Sequence, residues 1–152
     1  MIRATPILFV DVDGVLNRAG FRPAVAAGLA SWIEPELAHR LSDLVAATGA
    51  AMVVASTWRE GRTLDQLRRE LGIAGVVGAV VDATPVLHGA PRWHEIRAWL
   101  DRQPRRPDRF AILDDERDMG ELAAHHVRVR PLVGLDDDAC EAARGLLGPA
   151  AT

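Results

Sequence analysis

Ile7-Leu8-Phe9-Val10-Asp11-Val12-Asp13-Gly14-Val15-Leu16-Asn17 decides how this chain folds. An unbroken apolar run leads into two aspartates one residue apart, and a glycine follows at once. The run reads as a buried strand over residues 6–12, stopped by Gly14. Carboxylates at the end of a core strand are too costly to bury unpaired. A hard cation is one remedy, because Mg²⁺ takes oxygen ligands and commonly one or two carboxylates from a protein. Residues two apart in an extended chain project to the same side, so Asp11 and Asp13 can face one ligand.

Outward from this stretch, strands and helices alternate. Residues 17–34 read as irregular, with Gly20, Pro23 and Gly28 interrupting them. A helix is predicted over 35–48, with Pro35 in its first turn, Leu37, Leu41, Leu44 and Val45 at helical spacing, and Gly49 as its stop. A second buried strand covers 51–55 and ends at Ser56-Thr57. A helix over 63–71 follows, stopped by Gly72, then a short strand over 76–81 and a helix over 91–101. Residues 109–113 form a further core strand ending at Asp114-Asp115, and a short helix comes after it. A strand near 127–129 and a helix over about 137–147 complete the chain, with Asp136-Asp137-Asp138 at the favourable end of that helix's dipole. This alternation predicts an α/β fold with a mostly parallel central sheet and helices on both faces. The arginine-rich turn 101–109 and the last four residues are the expected mobile parts.

The 152 residues predict a single domain, 1–152, with a short flap over about 17–35. Hydrophobic residues at 49% and charged residues at 26% are ordinary for a soluble protein, and a net charge of -3 argues against a general polyanion binder. All 18 basic residues are arginine. The one cysteine, Cys140, excludes an internal disulfide and a multi-cysteine metal site. No signal peptide or membrane-length apolar run is visible, so the expected compartment is a reducing cytoplasm, with no membrane partner.

In an open parallel sheet the ligand crevice lies at the carboxyl ends of the strands. Asp11/Asp13, Ser56/Thr57 and Asp114/Asp115 all fall at such ends, which would gather them in one crevice. Their order resembles the haloacid-dehalogenase-like (HAD) phosphohydrolases: Asp11-Val12-Asp13-Gly14, a strand ending in Ser56, a basic residue in Arg92-Trp93-His94-Glu95-Ile96, and a strand ending in Asp114-Asp115. Ser56-Thr57-Trp58-Arg59 and Glu95-Ile96-Arg97-Ala98-Trp99-Leu100 look like a small cap-less type, similar to the HAD domains of RNA-repair proteins.

The resemblance implies a Rossmann-like HAD fold without a large cap domain, and a Mg²⁺-dependent phosphomonoesterase. Asp11 would be the nucleophile, forming an aspartyl-phosphate. Asp13 would be the general acid and then the base for water. Mg²⁺ would sit between Asp11, the backbone carbonyl of Asp13, and Asp115, with Asp114 in support. Ser56 or Thr57 would donate to a phosphoryl oxygen, and Arg59 could clamp phosphate in bidentate fashion. The family's usual lysine is missing, and Arg92 is expected to take its place with a wider, planar head. A frequent further aspartate, four residues after the metal-binding one, is Met119 here, and Asp118 stands one residue earlier.

Gaps too short for a cap imply an open site, of the sort that resembles enzymes acting on RNA or DNA ends; an RNA 3′-phosphate is the first substrate expected. Alternatives are a small-molecule or nucleotide phosphatase, a phosphotransferase or phosphonatase, and a non-catalytic nucleic-acid or protein-binding module on a HAD scaffold. His125 and His126 read as strand-flanking residues, His94 as a neighbour of the third motif, and Trp32, Trp93 and Trp99 as core. Trp58 is set apart by its place beside Ser56. Arg102, Arg105, Arg106 and Arg109 form a basic loop, ordinarily solvated but able to meet phosphates.

Overall fold

In a computed structural model, which describes residues 4–151, the apolar runs become a five-stranded sheet in the order β3-β2-β1-β4-β5. The strands are β1 (Ile7–Val10), β2 (Ala51–Val54), β3 (Val80–Ala83), β4 (Phe110–Asp114) and β5 (His126–Arg128). Every pairing is parallel, so the sheet is fully rather than mostly parallel. The helices are α1 (Gly28–Ser31), α2 (Pro35–Thr48), α3 (Leu64–Ile73), α4 (Arg92–Arg102) and α5 (Asp137–Leu147).

Alternate residues of the central strands feed two cores. Leu8, Val10, Met52, Val54, Ala111 and Leu113 face one side, where Leu37, Leu41, Leu67 and Ala143 of α2, α3 and α5 cover them. Phe9, Val53 and Ile112 face the other, where Ile96, Trp99 and Leu100 of α4 cover them. A strand buried on both faces reads as a continuous apolar run rather than an alternating one, which is the pattern of β1 and β2. The chain winds from β1 out to β3 with α2 and α3 on the first face. It then crosses back to β4 with α4 on the second. The winding therefore reverses between β1 and β4, and the crevice opens at their carboxyl ends.

Several boundaries differ from the sequence reading. The strand expected over 76–81 forms over Val80–Ala83, because Val77 is exposed and Gly78 turns the chain with φ 151°. α3 runs through Gly72 to Ile73, and the positive φ falls at Gly75. The short helix after Asp115 is a 3₁₀ segment, Gly120–His125, and the segment 17–34 holds the single turn α1. In the tail expected to be mobile, the Ala150 N–H donates to the Ala47 carbonyl; Thr152 lies outside the described residues. Among the described residues, no helix is long and apolar enough to cross a membrane.

Candidate active site

Strand register brings the polar strand ends together. Val10 lies level with Val54 on one side and Leu113 on the other. One step further on, the Asp11 N–H donates to the Leu113 carbonyl and the Ala55 N–H donates to the Val10 carbonyl. Asp11, Ser56 and Asp114 thus emerge side by side. Carboxylate oxygens of Asp11, Asp114 and Asp115 all lie within 4.8 Å of one another. Asp11 and Asp114 are buried and Asp115 is half-buried.

A cation faces this acid cluster. Arg92, in the first turn of α4, places Nη2 3.9 Å from Asp11 Oδ1 and Nε 3.4 Å from Asp114 Oδ2. Three carboxylates against one guanidinium leave an excess of negative charge. Burial raises the Asp11 carboxyl first, the neighbouring Asp114 raises it further, and Arg92 opposes both; the result is pushed up to about 8. Asp114 is raised to about 6 by burial, against the pull of Arg92. Among the described residues, Arg92 Nη1 and Asp114 Oδ2 are buried polar atoms with no hydrogen-bond partner. Buried polar atoms are nearly always satisfied, so these two mark a place built for something more than protein.

Gly14 makes the close approach possible. It takes φ 81°, and a Cβ there would stand 2.5 Å from Asp115 Oδ2. The carboxylate therefore packs against bare backbone.

Asp13 stands apart from the cluster and is exposed. Its Oδ1 accepts from Asn17 Nδ2 at 3.0 Å and from the Trp58 indole Nε1–H at 3.1 Å. Asn17 is itself buried and fixed: Nδ2 also donates to the Trp32 carbonyl, and Oδ1 accepts from the Gly14 N–H. Asn17 closes the motif quoted first, four residues after Asp13. That spacing and its turn-forming side chain were the available signal for it.

Ser56 is fully buried, and its Oγ accepts from the Trp58 amide at 3.2 Å, leaving the hydroxyl proton free to be donated. Thr57 is exposed on the rim of a cleft of about 430 Å³ that Glu60, Arg92, Glu116 and Asp118 also line. A groove of about 350 Å³ on the other side is lined by Asp13, Asp115, Phe21, Arg22 and Trp32.

Arg59 lines the same cleft, but its donors are engaged by protein. Its Nε donates to the Thr84 carbonyl, Nη1 to the Ser56 carbonyl and Nη2 to the Pro85 carbonyl, and Nη2 pairs with Glu95 at 2.7 Å. The expected bidentate clamp is corrected for that reason: its donors are directed at protein oxygens in a buried site. Glu95 gave no signal of its own beyond its place in the third motif; its Oε2 also accepts from the Leu87 N–H.

The remaining candidates lie elsewhere. The basic loop precedes β4 and sits at the amino end of the sheet, away from the crevice; Arg106 pairs with Asp101 and Arg105 with Asp108. The rings of His125 and His126 sit on the carbonyls of Phe110 and Asp114. Met119 is core, Asp118 accepts from the Gly120 N–H in a turn, and Asp136 caps α5 through the Ala139 N–H. Trp99 is buried, whereas Trp32 and Trp93 are half-buried.

A parallel sheet reversing at an acidic crevice, with no cap over it, defines a HAD-type domain. A family model described as the HAD domain in Swiss Army Knife RNA repair proteins matches residues 7–140, and the chain belongs to that family. Membership points to hydrolase chemistry of the phosphatase kind. HAD domains generally use Mg²⁺, and the aspartate cluster offers it a seat. Comparisons with curated proteins and with solved structures gave no match.

Proposed function

We propose that this protein is a Mg²⁺-dependent phosphomonoesterase acting through an aspartyl-phosphate on Asp11, with phosphorylated nucleic-acid ends as its substrates. The observation that carries this reading is the cluster of Asp11, Asp114 and Asp115 within 4.8 Å, faced by Arg92 at the reversal point of the sheet.

Asp11 Oδ1 accepts from the Val12 N–H at 2.8 Å, which fixes the plane of the carboxylate before attack. Attack on phosphorus forms the acyl-phosphate bond and breaks the bond to the leaving oxygen, which takes its proton from Asp13. Water then attacks phosphorus, gives a proton back to Asp13, and releases inorganic phosphate with Asp11 restored. Ser56 donates its hydroxyl to a phosphoryl oxygen, with Thr57 on the rim beside it. Arg92 holds Asp11 in place and meets the charge of the phosphoryl group. Asp11, Asp115 and the Asp13 carbonyl would hold Mg²⁺, with Asp114 supporting, and the ion would offset phosphate charge there.

The open grooves support a large substrate, and the description of the family supports an RNA end. Asp13 lines the groove that also holds Phe21, Arg22 and Trp32. A leaving nucleoside protonated by Asp13 would lie there, its base against an aromatic ring. The cleft on the Thr57 side carries Glu60, Glu116 and Asp118, which repel a polyanion.

The test is phosphate release, with and without Mg²⁺, from an aryl phosphate, mononucleotides, and oligonucleotides phosphorylated at the 3′ or 5′ end. Wild type and Asp11→Asn run side by side. Metal-dependent release that the substitution abolishes is expected, fastest on an oligonucleotide. Release from mononucleotides at a higher kcat/KM than from oligonucleotides overturns the substrate class. No release from any substrate overturns the activity.

A further inference from the structure

Resting on the phosphatase reading above, we propose that Trp58 is a positioning residue for the leaving-group step. Its indole N–H, together with Asn17, fixes Asp13 so that Oδ2 alone meets the leaving oxygen.

Asp13 is exposed, and an exposed carboxylate turns freely among its rotamers. Here two N–H donors from different parts of the chain converge on the same oxygen, Oδ1, at 3.0 and 3.1 Å. An oxygen that accepts two N–H bonds has no place for a proton of its own. The proton of the neutral acid is thereby directed to Oδ2.

The donors are themselves held. Asn17 is locked by the Trp32 carbonyl and the Gly14 N–H. The Trp58 ring lies 6.4 Å from the Trp32 ring, and the Arg62 guanidinium stands 5.0 Å over it. Trp58 also uses its backbone N–H on Ser56 Oγ, which turns the Ser56 proton away from Trp58. One residue thus orients two groups, the hydroxyl at the phosphoryl oxygens and the acid at the leaving oxygen.

Trp58→Phe keeps the ring and removes only the indole N–H. A protonated leaving oxygen matters for an alkoxide and little for a nitrophenolate. The variant should therefore lower kcat/KM, which reports the steps up to the aspartyl-phosphate, about 10–100-fold on an alkyl phosphate such as glycerol 2-phosphate, part of the effect of a general acid, and leave it within about threefold on 4-nitrophenyl phosphate. The Trp58 indole N–H resonance of the metal-free protein gives a second reading: it should shift in Asp13→Asn and stay put in Thr57→Ala. Equal slowing on both substrates in Trp58→Phe, or an indole resonance indifferent to Asp13→Asn, overturns the inference while leaving the phosphatase intact. No turnover by wild type on either substrate or on a 3′- or 5′-phosphorylated oligonucleotide overturns the phosphatase reading, and this one with it.

Discussion

Arg59 and Arg92 flank the same crevice, and the fold treats them in opposite ways. The Arg59 side chain is 3% exposed, and its nitrogens reach Thr84, Ser56, Pro85 and Glu95. Arg92 is 12% exposed, has Nη1 without a partner among the described residues, and stands at 3.4 and 3.9 Å from acids it does not align with. A satisfied buried guanidinium is architecture: it ties the turn after β2 to the loop after β3. The Arg92 nitrogen and the Asp114 Oδ2 atom that lack hydrogen-bond partners lie together in the crevice. On the proposed reading, hydrogen-bond completeness, not the presence of an arginine near a motif, separates scaffold from chemistry.

The largest expected effect lies on the scaffold side. Arg59→Ala leaves Glu95 buried without its cation and should cost about 3–5 kcal/mol of stability. Thermal unfolding should show a fall in Tm of about 10 °C for a chain of this size. A Tm within a degree of wild type would erase the distinction between the two arginines.

On the other side the loss should appear in rate. Arg92→Ala should reduce kcat by about 10²–10³-fold, as expected for removing one preorganised charge from a transition state. Arg92→Lys should recover most of that activity. Steady-state phosphate release measures both, and a lysine variant as dead as the alanine one would assign Arg92 a shape-dependent role instead.

Gly14→Ala tests how the acid cluster is packed. The new Cβ would meet Asp115 at 2.5 Å and carry a φ of 81°, so Asp115 must move away from Asp11. Mg²⁺ affinity, read by isothermal titration calorimetry, should fall about 10–100-fold, the range seen when a metal ligand loses its support. Unchanged affinity would remove Asp115 from the ligand set.

The last effect is one of pH, and it is gradual rather than abrupt. Asp11 sits at about 8 in the fold, whereas an unfolded aspartate titrates near 3.9. Between those values the folded state keeps a proton that the unfolded chain has lost. Stability of the metal-free protein therefore falls as pH rises through that window. Mg²⁺ must displace the same proton, so its stabilising shift in Tm should grow from about pH 5 to 8 and level off above. Scanning fluorimetry at a series of pH values reads this directly. A shift that is constant with pH would mean that Asp11 is not a ligand.

Much of the fold was legible because its signals are one-dimensional. β1, β2 and β4 are unbroken apolar runs buried on both faces, and α2 carries its apolar stripe between Pro35 and Gly49. β3 was misplaced because Val76-Val77-Gly78 is as apolar as the strand itself. Only tertiary packing shows that Gly78 presses on Val45 and that pairing resumes at Val80. Within the crevice, the strand-end rule was enough to expect Asp11, Ser56 and Asp114 side by side, and the resemblance of Arg92-Trp93-His94-Glu95-Ile96 to the family's third motif, in a chain without lysine, pointed to Arg92. The bonds by which its partners finish the site were not legible. Asn17, Trp58 and Glu95 act through hydrogen bonds spanning four, 45 and eight residues respectively, and spacing alone does not reveal who accepts from whom. The same blindness placed Arg59 on a phosphate: a guanidinium beside a serine motif reads alike whether it faces inward or outward.

Arginine in place of lysine also bears on how long such a catalyst survives its own intermediate. An aspartyl-phosphate is a mixed anhydride, and any neighbouring amine with a free lone pair can capture the acyl group as a dead-end amide. A lysine losing its proton in alkaline medium becomes such an amine. The Arg92 guanidinium is planar and delocalised and has no nucleophilic lone pair to offer. On the proposed pathway the cation facing Asp11 is thus chemically inert towards an acyl-phosphate formed there.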